Sequence, residues 1–494
     1  MGHETAPLDP ADWEEFRALG KQIVDDMVDY LAGVRDRPVW QPVPDAVRAR
    51  LATELPRTGT PMAAVYQDFC ESILPYPRGN IHPRFWGWAN GSGVPIAAYA
   101  DLLASVMNCT LGSGENAAML VERQVIDWLM QAFDWPDTGS GVLTSGCSMG
   151  QIIALAAARE ARTGGWDVRR DGNLAGPQLT VYGSTETHHS VEKAVELLGI
   201  GRTFFRQIPV DEDFRIEVAA LREAIREDRA AGFHPLCVVG NVGTVNTGAI
   251  DPLEELVALA REAGLWLHLD GAFGAFAYLL PSHRRLLACL NQADSLVFDL
   301  HKWLYLPFDV SCVLVNRPDA LEAAFSSTAD YISRTDRGPA AYEVAFSDRS
   351  IEQSRRFRAL KVWFALRTHG IDAFADAIAG NIEQIARLTE LADASEALEV
   401  VSRSRLNIAT LRYVWPQGGA QALDQVNREI LSQLQVGGLA MPSHTVIDGK
   451  FVIRVANNNH RTTTADIEFL VDRIQAIGDR LTRQLPAAPR GDSR

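Results

Sequence analysis

Lysine is scarce in this chain. Of the 47 lysines and arginines among its 494 residues, five are lysine: Lys21, Lys193, Lys302, Lys361 and Lys450. Cysteine is sparse too. The six present (Cys70, Cys109, Cys147, Cys237, Cys289 and Cys312) form no close pair and no metal-ligand spacing, which argues against a disulfide framework and against a metal site. No run of about 18 apolar residues occurs, and the acidic start MGHETAPLDPADWEEF lacks the apolar stretch of a signal peptide. These absences predict a chain that is neither exported nor membrane-spanning, and the unpaired thiols fit a reducing cytoplasmic setting. Positive charge is short as well. A formal net charge of −15 and a pI near 5.3 disfavour a nucleic-acid groove or an anionic membrane surface as partner. Chemistry on a small molecule is the expectation that remains.

Apolar residues are plentiful, at 47%, enough to fill more than one core in a chain too long for a single one. Residues 1–85 read as an arm: an amphipathic helix from about Asp12 to Leu31, a proline-broken connector RPVWQPVP, and a second helix with Thr60 as cap and Pro61 at its first position. Across 86–375, short β-branched or aromatic runs alternate with helical ones, as in GVLTS then MGQIIALAAAREA, QLTVYGS then HSVEKAVELL, and LCVVGN then PLEELVALAREA. That rhythm predicts an α/β domain with a mostly parallel sheet, whose ligands bind where strands end in loops. Residues 376–494 read as a smaller α+β domain.

Because lysines are few, each can be assigned a reason. Lys21, Lys193, Lys361 and Lys450 lie in amphipathic helices or a turn from which the head group is expected to reach water. Lys302 has no such outlet, since DSLVFDLHKWLYLPF surrounds it with apolar neighbours. Two readings stay open there: an ion pair with Asp299, or an amine left neutral by desolvation and nucleophilic toward carbonyl carbon.

Other strand ends narrow the ligand. LTSGCSMGQIIAL sets Ser145, Gly146, Cys147 and Ser148 at a helix start, where free N–H groups and the helix dipole favour a phosphate. YGSTETHHSVEKA offers His188 and His189. WLHLDGAFGAF ends an apolar strand on Asp270 and follows it with the small Gly271 and Ala272, leaving room for a flat ring. A phosphate cradle, an imidazole, a carboxylate and a lysine on separate strand-end loops form the set that pyridoxal 5'-phosphate (PLP) requires.

With these residues the chain resembles the pyridoxal-phosphate group II amino-acid decarboxylases, the family of aromatic-L-amino-acid, histidine and glutamate decarboxylases, and most nearly the aromatic branch. The likeness runs through EFRALGKQIVDDMVDYL, HPRFWGW, TSGCSMGQIIALAAARE, HHSVEKA, WLHLDGAFGAF, LHKWLYLPFDVSCVLV, SRRFRALKVWFALRTHG and FVIRVANNNHRTT. It implies a PLP-dependent transferase fold of type I and a homodimer with a shared active site, the N-terminal arm wrapped over the partner. By the same resemblance Lys302 carries the Schiff base, Asp270 pairs the ring nitrogen, His188 stacks on the ring and Ala272 packs its other face. Gly146, Cys147 and Ser148, with Asp299 or His301, then surround the phosphate.

The resemblance also implies an activity: carboxy-lyase action on an L-amino acid, an aromatic one, giving the amine and CO2. Tyr331, in the long polar segment FSSTADYISRTDRGPAAYEVAFSDRS, falls at the family's catalytic tyrosine and is expected to protonate the substrate Cα, with Tyr342 as the other candidate. Aldehyde-forming oxidative relatives carry phenylalanine there, so that alternative is disfavoured; an acidic or other non-aromatic substrate is the second alternative. His82, Trp88, Asn90 and Asn108 are the expected substrate contacts, and MNCTLGS, with Asn108 and Thr110, is the expected contribution of the second subunit. Two departures from the family pattern bear on the pocket. Ala89 to Ser92 replace an aromatic strip, and Val245 stands in GTVNTG where a threonine is expected.

Overall fold

The first strand, β1 (Phe85–Trp86), does not join the strands that follow it in sequence. Those strands, β2 (Ser140–Thr144), β3 (Leu179–Ser184), β4 (Phe205–Ile208), β5 (His234–Asn241), β6 (Trp266–Asp270), β7 (Ser295–Asp299) and β8 (Ser311–Val315), form a seven-stranded sheet in the order β2-β8-β7-β6-β5-β3-β4. A second sheet of five strands combines β1 with β9 (Leu398–Arg403), β10 (Ile408–Tyr413), β11 (Met441–Ile447) and β12 (Lys450–Ala456), in the order β1-β11-β12-β10-β9. The structure is a computed structural model and describes residues 8–163, 165–327 and 335–484.

In the large sheet β5 to β8 are near-continuous apolar runs, buried over almost their whole length, as strands with helices on both faces must be. Helices cross between the parallel strands. The helix Leu253–Ala263 is typical: Glu254 and Glu255 occupy its positive first turn, and Gly264 closes it in the left-handed region at φ 63°. The sheet departs from parallel order at β8, which runs antiparallel to both its neighbours, β2 and β7. β2 and β7 therefore point the same way, and Ser311 at the start of β8 is register partner to both Thr144 and Asp299 at their ends. The carboxyl ends of β2, β3, β5, β6 and β7 thus meet along one edge.

Two expectations about local structure are corrected. The arm helix expected to begin at Pro61 runs Met62–Ser72 and follows an additional helix, Asp45–Leu51; Pro61 is at its cap position rather than inside, because Pro61 has an extended ψ of 138°. Lys361 does not reach water. Its side chain is 1% exposed and bonds to Asp101 Oδ2 at 2.9 Å and to the Pro307 and Phe308 carbonyls at 3.2 and 3.3 Å. The helix Ala359–His369 packs against Pro95–Met107 and presents Lys361 inward, where the partner Asp101, far off in sequence, makes burial tolerable. The first arm helix, Trp13–Ala32, is capped by the Asp12 side chain, and Trp13, Phe16 and Val28 on it are exposed. Among the described residues no helix is long and apolar enough to cross a membrane.

Candidate active site

Lys302 lies in the short helix Leu300–Trp303, entered directly from β7, so its side chain starts at the edge where the strands end. Its Nζ is 2.8 Å from Asp299 Oδ2, and its side chain is 22% exposed. A cleft at this edge is lined by His188, Asn241, Gly243, Thr244, Val245, Asp270, Ala272, Phe273 and Lys302. The strand ends thus bring together Lys302, Asp270, His188 and Ala272, which the sequence places on three separate loops.

The charge state of Lys302 differs from a lysine neutralised by burial. Burial does work to lower its pKa, but the Asp299 carboxylate outweighs that and holds the ammonium above the ordinary lysine range. Asp299 is correspondingly held below the usual carboxylate range: burial opposes this, and Lys302 and His301 overcome it. Without the cofactor, then, the ion-pair reading of Lys302 describes its state. Asp299 also accepts the Cys147 N–H at 2.8 Å and a hydrogen bond from Ser311 Oγ. An ionised acceptor in that position has no donor to offer a phosphate, so Asp299 is better described as the lysine's counter-ion than as part of the cradle.

Asp270 ends β6, buried, with Oδ1 accepting the Ala272 N–H at 3.0 Å and Oδ2 accepting Gln151 Nε2 at 2.7 Å. Burial, with the Asp299 charge, holds its pKa above the usual carboxylate range, and Lys302 and these two hydrogen bonds offset that in part. His188 caps the helix His189–Leu197, its Nδ1 accepting from Ser190 N at 3.3 Å and lying 2.7 Å from Ser190 Oγ. Burial, then the neighbouring His189 and Lys302, lowers the His188 pKa to about 4, so at neutral pH it presents an uncharged flat ring to the cleft. Across the cleft Ala272 adds little bulk, and the preceding Gly271 is obligatory, since a Cβ there would fall 2.7 Å from Ala275 Cβ.

The turn after β2 leads into the helix Cys147–Arg162. Gly146 is its cap residue; a Cβ built there would lie 3.9 Å from His301 Cε1, which places His301 beside the turn. Ser148 is exposed at the helix start, Cys147 is buried with its thiol pKa pushed up by burial, and Thr144 Oγ1, just before the turn, is buried without a partner among the described residues. These groups suit PLP on three counts: a lysine amine at a strand end, a buried carboxylate able to face a ring nitrogen, and a helix start with an orphaned hydroxyl next to it for an anion.

The expected substrate contacts all lie outside the cleft lining, two of them tied to residues next to it. Asn90 precedes Gly91, whose N–H donates to His301 O at 3.2 Å, and a Cβ on Gly91 would overlap the His301 and Lys302 carbonyl oxygens, so glycine is needed for this close approach. Trp88 is tied to the cleft-lining Val245 through Arg454, whose Nη1 donates to Trp88 O at 2.9 Å, whose Nε donates to Asn246 O at 3.0 Å and whose Nη2 donates to Val245 O. None of His82, Trp88, Asn90 and Asn108 is among the cleft-lining residues. His82 is buried with Nδ1 accepting from Arg84 N, and Asn108 sits exposed in the left-handed region at the end of the helix Pro95–Met107. Tyr331 lies outside the described residues. Sequence reading passed over Ser311, Asn241, Gln151 and Arg454. Gln151 carried a signal, as a polar residue on the buried face of its helix; Arg454 comes from the other sheet and carried none.

The chain matches the model of the pyridoxal-dependent decarboxylase conserved domain over residues 44–414. It is 33% identical over 477 residues to an aromatic-L-amino-acid decarboxylase of Bacillus atrophaeus, covering 96% of this chain and 97% of that one. It is 32% identical to a tyrosine decarboxylase of Oryza sativa subsp. japonica, covering 90% and 87%. A crystal structure of Oryza sativa TDC with PLP and tryptamine superposes with a TM-score of 0.88 at 27% identity, over 96% of this chain and 100% of that one. Fold and site together define a PLP-dependent enzyme of fold type I. The chain belongs to the pyridoxal-dependent decarboxylase family and is a carboxy-lyase acting on an amino acid with PLP as cofactor.

Proposed function

We propose that this decarboxylase takes an aromatic L-amino acid and releases the corresponding amine and CO2. The observation that carries the substrate class is the rim of the cleft. Val245 and Phe273 line it, Trp88 is tied to Val245 through the buried Arg454, and four of the five N–H donors of that guanidinium go to three backbone carbonyls and Ser443 Oγ, which leaves little of it for a side-chain carboxylate. The decarboxylases of Bacillus atrophaeus and Oryza sativa, named for aromatic substrates, support the same class.

PLP, when bound, supplies an aldehyde that condenses with amines and a cationic ring that draws off the electron pair left at the substrate Cα when CO2 departs. The chain's own residues do the rest. Lys302 Nζ is the attachment point, and Asp299 Oδ2 beside it holds or takes the Nζ proton. Asp270 would keep the ring nitrogen of bound PLP protonated, His188 would offer its neutral face to the ring, and Ala272 would leave space for it. Gly146, Cys147 and Ser148, with His301 beside them, would hold the phosphate. Tyr331 returns a proton to the substrate Cα. Trp88 and Asn90 stand on the substrate side. His82, and Asn108 from a second copy of the chain, complete it in a cytoplasmic homodimer. In this reading residues 1–85 are the dimerisation arm, 86–375 the cofactor-binding domain and 376–494 the small domain.

A substrate panel tests the proposal. Amine, aldehyde and CO2 are measured with tyrosine, tryptophan, phenylalanine, DOPA, glutamate and histidine. Faster turnover of an aromatic substrate with amine as product is expected; preference for glutamate or histidine, or aldehyde from the unaltered enzyme, overturns it.

A further inference from the structure

Behind Asp270 runs a line of buried side chains that the decarboxylase reading leaves unused. Gln151 Nε2 donates to Asp270 Oδ2 at 2.7 Å, and Gln151 Oε1 lies 2.7 Å from His268 Nε2. His268 Nδ1 is 2.8 Å from Ser295 Oγ, which accepts Trp266 Nε1 at 2.7 Å. Trp266, Ser295, His268 and Gln151 are fully buried.

The two ends fix the direction of every hydrogen bond between them. An indole N–H can only donate and a carboxylate can only accept. Ser295 Oγ, accepting from Trp266, has its own proton free for His268 Nδ1. The imidazole proton then sits on Nε2 and goes to Gln151 Oε1, which turns the amide NH2 toward Asp270. Burial pushes the His268 pKa down to about 3, so the ring stays neutral and a single tautomer persists. Every link donates toward Asp270, and in a buried chain each bond polarises the next.

We propose that Gln151, His268 and Ser295 are positioning residues that hold the Asp270 carboxylate ionised and aimed at the cofactor's ring nitrogen. The inference rests on the reading that Asp270 faces that nitrogen. The other ionisable groups around Asp270 are Lys302, Asp299 and Cys147, with His188 across the cleft. Of these only Lys302 favours the ionised form by its charge, and Lys302 is the residue that PLP engages. The relay remains when that lysine is occupied.

Two measurements test this. In the chain without cofactor, nitrogen-15 NMR of labelled histidine should show His268 as the Nε2–H tautomer in the unaltered protein, and Ser295→Ala should lose that preference while Ser295→Thr keeps it. In protein reconstituted with ring-labelled PLP, the ring-nitrogen shift reports its protonation. Asp270→Asn should move it to the unprotonated position, and Gln151→Leu should move it part of the way and weaken PLP binding about tenfold, the scale of one hydrogen bond to a charged group. If Asp270→Asn moves the signal while Gln151→Leu and Ser295→Ala leave both signal and affinity unchanged, the relay is wrong and the Asp270 reading stands. If Asp270→Asn leaves it unmoved, both fall. Should Gln151→Leu fail to fold, the Ser295 pair, two links away, decides by the same signals.

Discussion

Asp299 joins Lys302 to the start of another helix: its Oδ2 lies 2.8 Å from Lys302 Nζ while its Oδ1 accepts the Cys147 N–H at 2.8 Å. One carboxylate therefore ties the end of β7 to the start of the helix Cys147–Arg162 and sets the charge of the lysine. Ser311, register partner of both strand ends, adds its hydroxyl to the same carboxylate.

Lys302→Ala should remove the amine that borohydride traps in the holoenzyme and lower turnover by roughly a thousandfold, the scale of losing a covalent group. Peptide mapping after reduction checks it. Label on Lys193, or undiminished activity, would remove Lys302 from the chemistry.

Asp299→Asn should invert the Lys302 shift. In the unaltered chain the carboxylate lifts the Lys302 pKa against burial; without it burial alone remains, and the pKa should fall below the ordinary lysine range. The sign for stability follows from both partners. Asp299, depressed when folded, contributes above the pH where an unfolded Asp ionises and loses its contribution as pH falls through the folded pKa. Lys302, raised, contributes below the pH where an unfolded Lys deprotonates and loses it as pH rises through the folded pKa. The pH dependence of amine modification in the cofactor-free protein measures the shift, and an unchanged profile would refute it.

The pair Arg355–Glu122 gives a prediction about stability alone. Arg355 Nη2 lies 2.5 Å from Glu122 Oε1, the side chains are 1% and 0% exposed, and Arg355 also donates to the Leu111 and Leu143 carbonyls. Glu122→Gln leaves a buried cation uncompensated and should cost about 3–5 kcal/mol in urea unfolding. Glu122→Met with Arg355→Met should recover part of that loss.

Acid should destabilise the fold through histidines buried neutral. His460, whose Nδ1 is 2.7 Å from Ser92 Oγ, has its pKa lowered to about 3, chiefly by burial and then by Arg461 and His369. The unfolded chain binds a proton that the folded chain refuses between about pH 6.5 and that value, so stability falls as pH drops, by about 1.4 kcal/mol per unit per histidine. His460→Gln should reduce the slope by one proton's worth, measured as unfolding midpoints across that window.

Much of this was written in the chain's local chemistry, and the rest could not be. The strands β5 to β8 announce themselves as apolar runs, and Lys302, Asp270 and His188 were found because each is a polar residue where such a run ends or the next helix begins. Lys361 misled for the opposite reason. An amphipathic helix shows which residues are charged but not that Asp101, some 260 positions earlier, waits on the facing helix. The same limit hid the charge state of Lys302, because desolvation can be guessed from apolar neighbours whereas the distance to a counter-ion cannot. Arg454 lies in a buried strand of the second sheet, and its bonds to Val245 and Asn246 arise only from the docking of one sheet against the other.

The reversed strand β8 has a bearing on how the enzyme is made. β8 lies between β2 and β7, and Ser140 is register partner to Val315, so β2 cannot be joined to the rest of the sheet until the ribosome has released residue 315. A nascent chain stopped shortly before that point already holds the turn at Gly146, Asp270 and Lys302, yet has no strand to lodge between their supports. Vitamin capture should therefore begin late in synthesis and abruptly, and shortened chains ending ahead of β8 should emerge colourless.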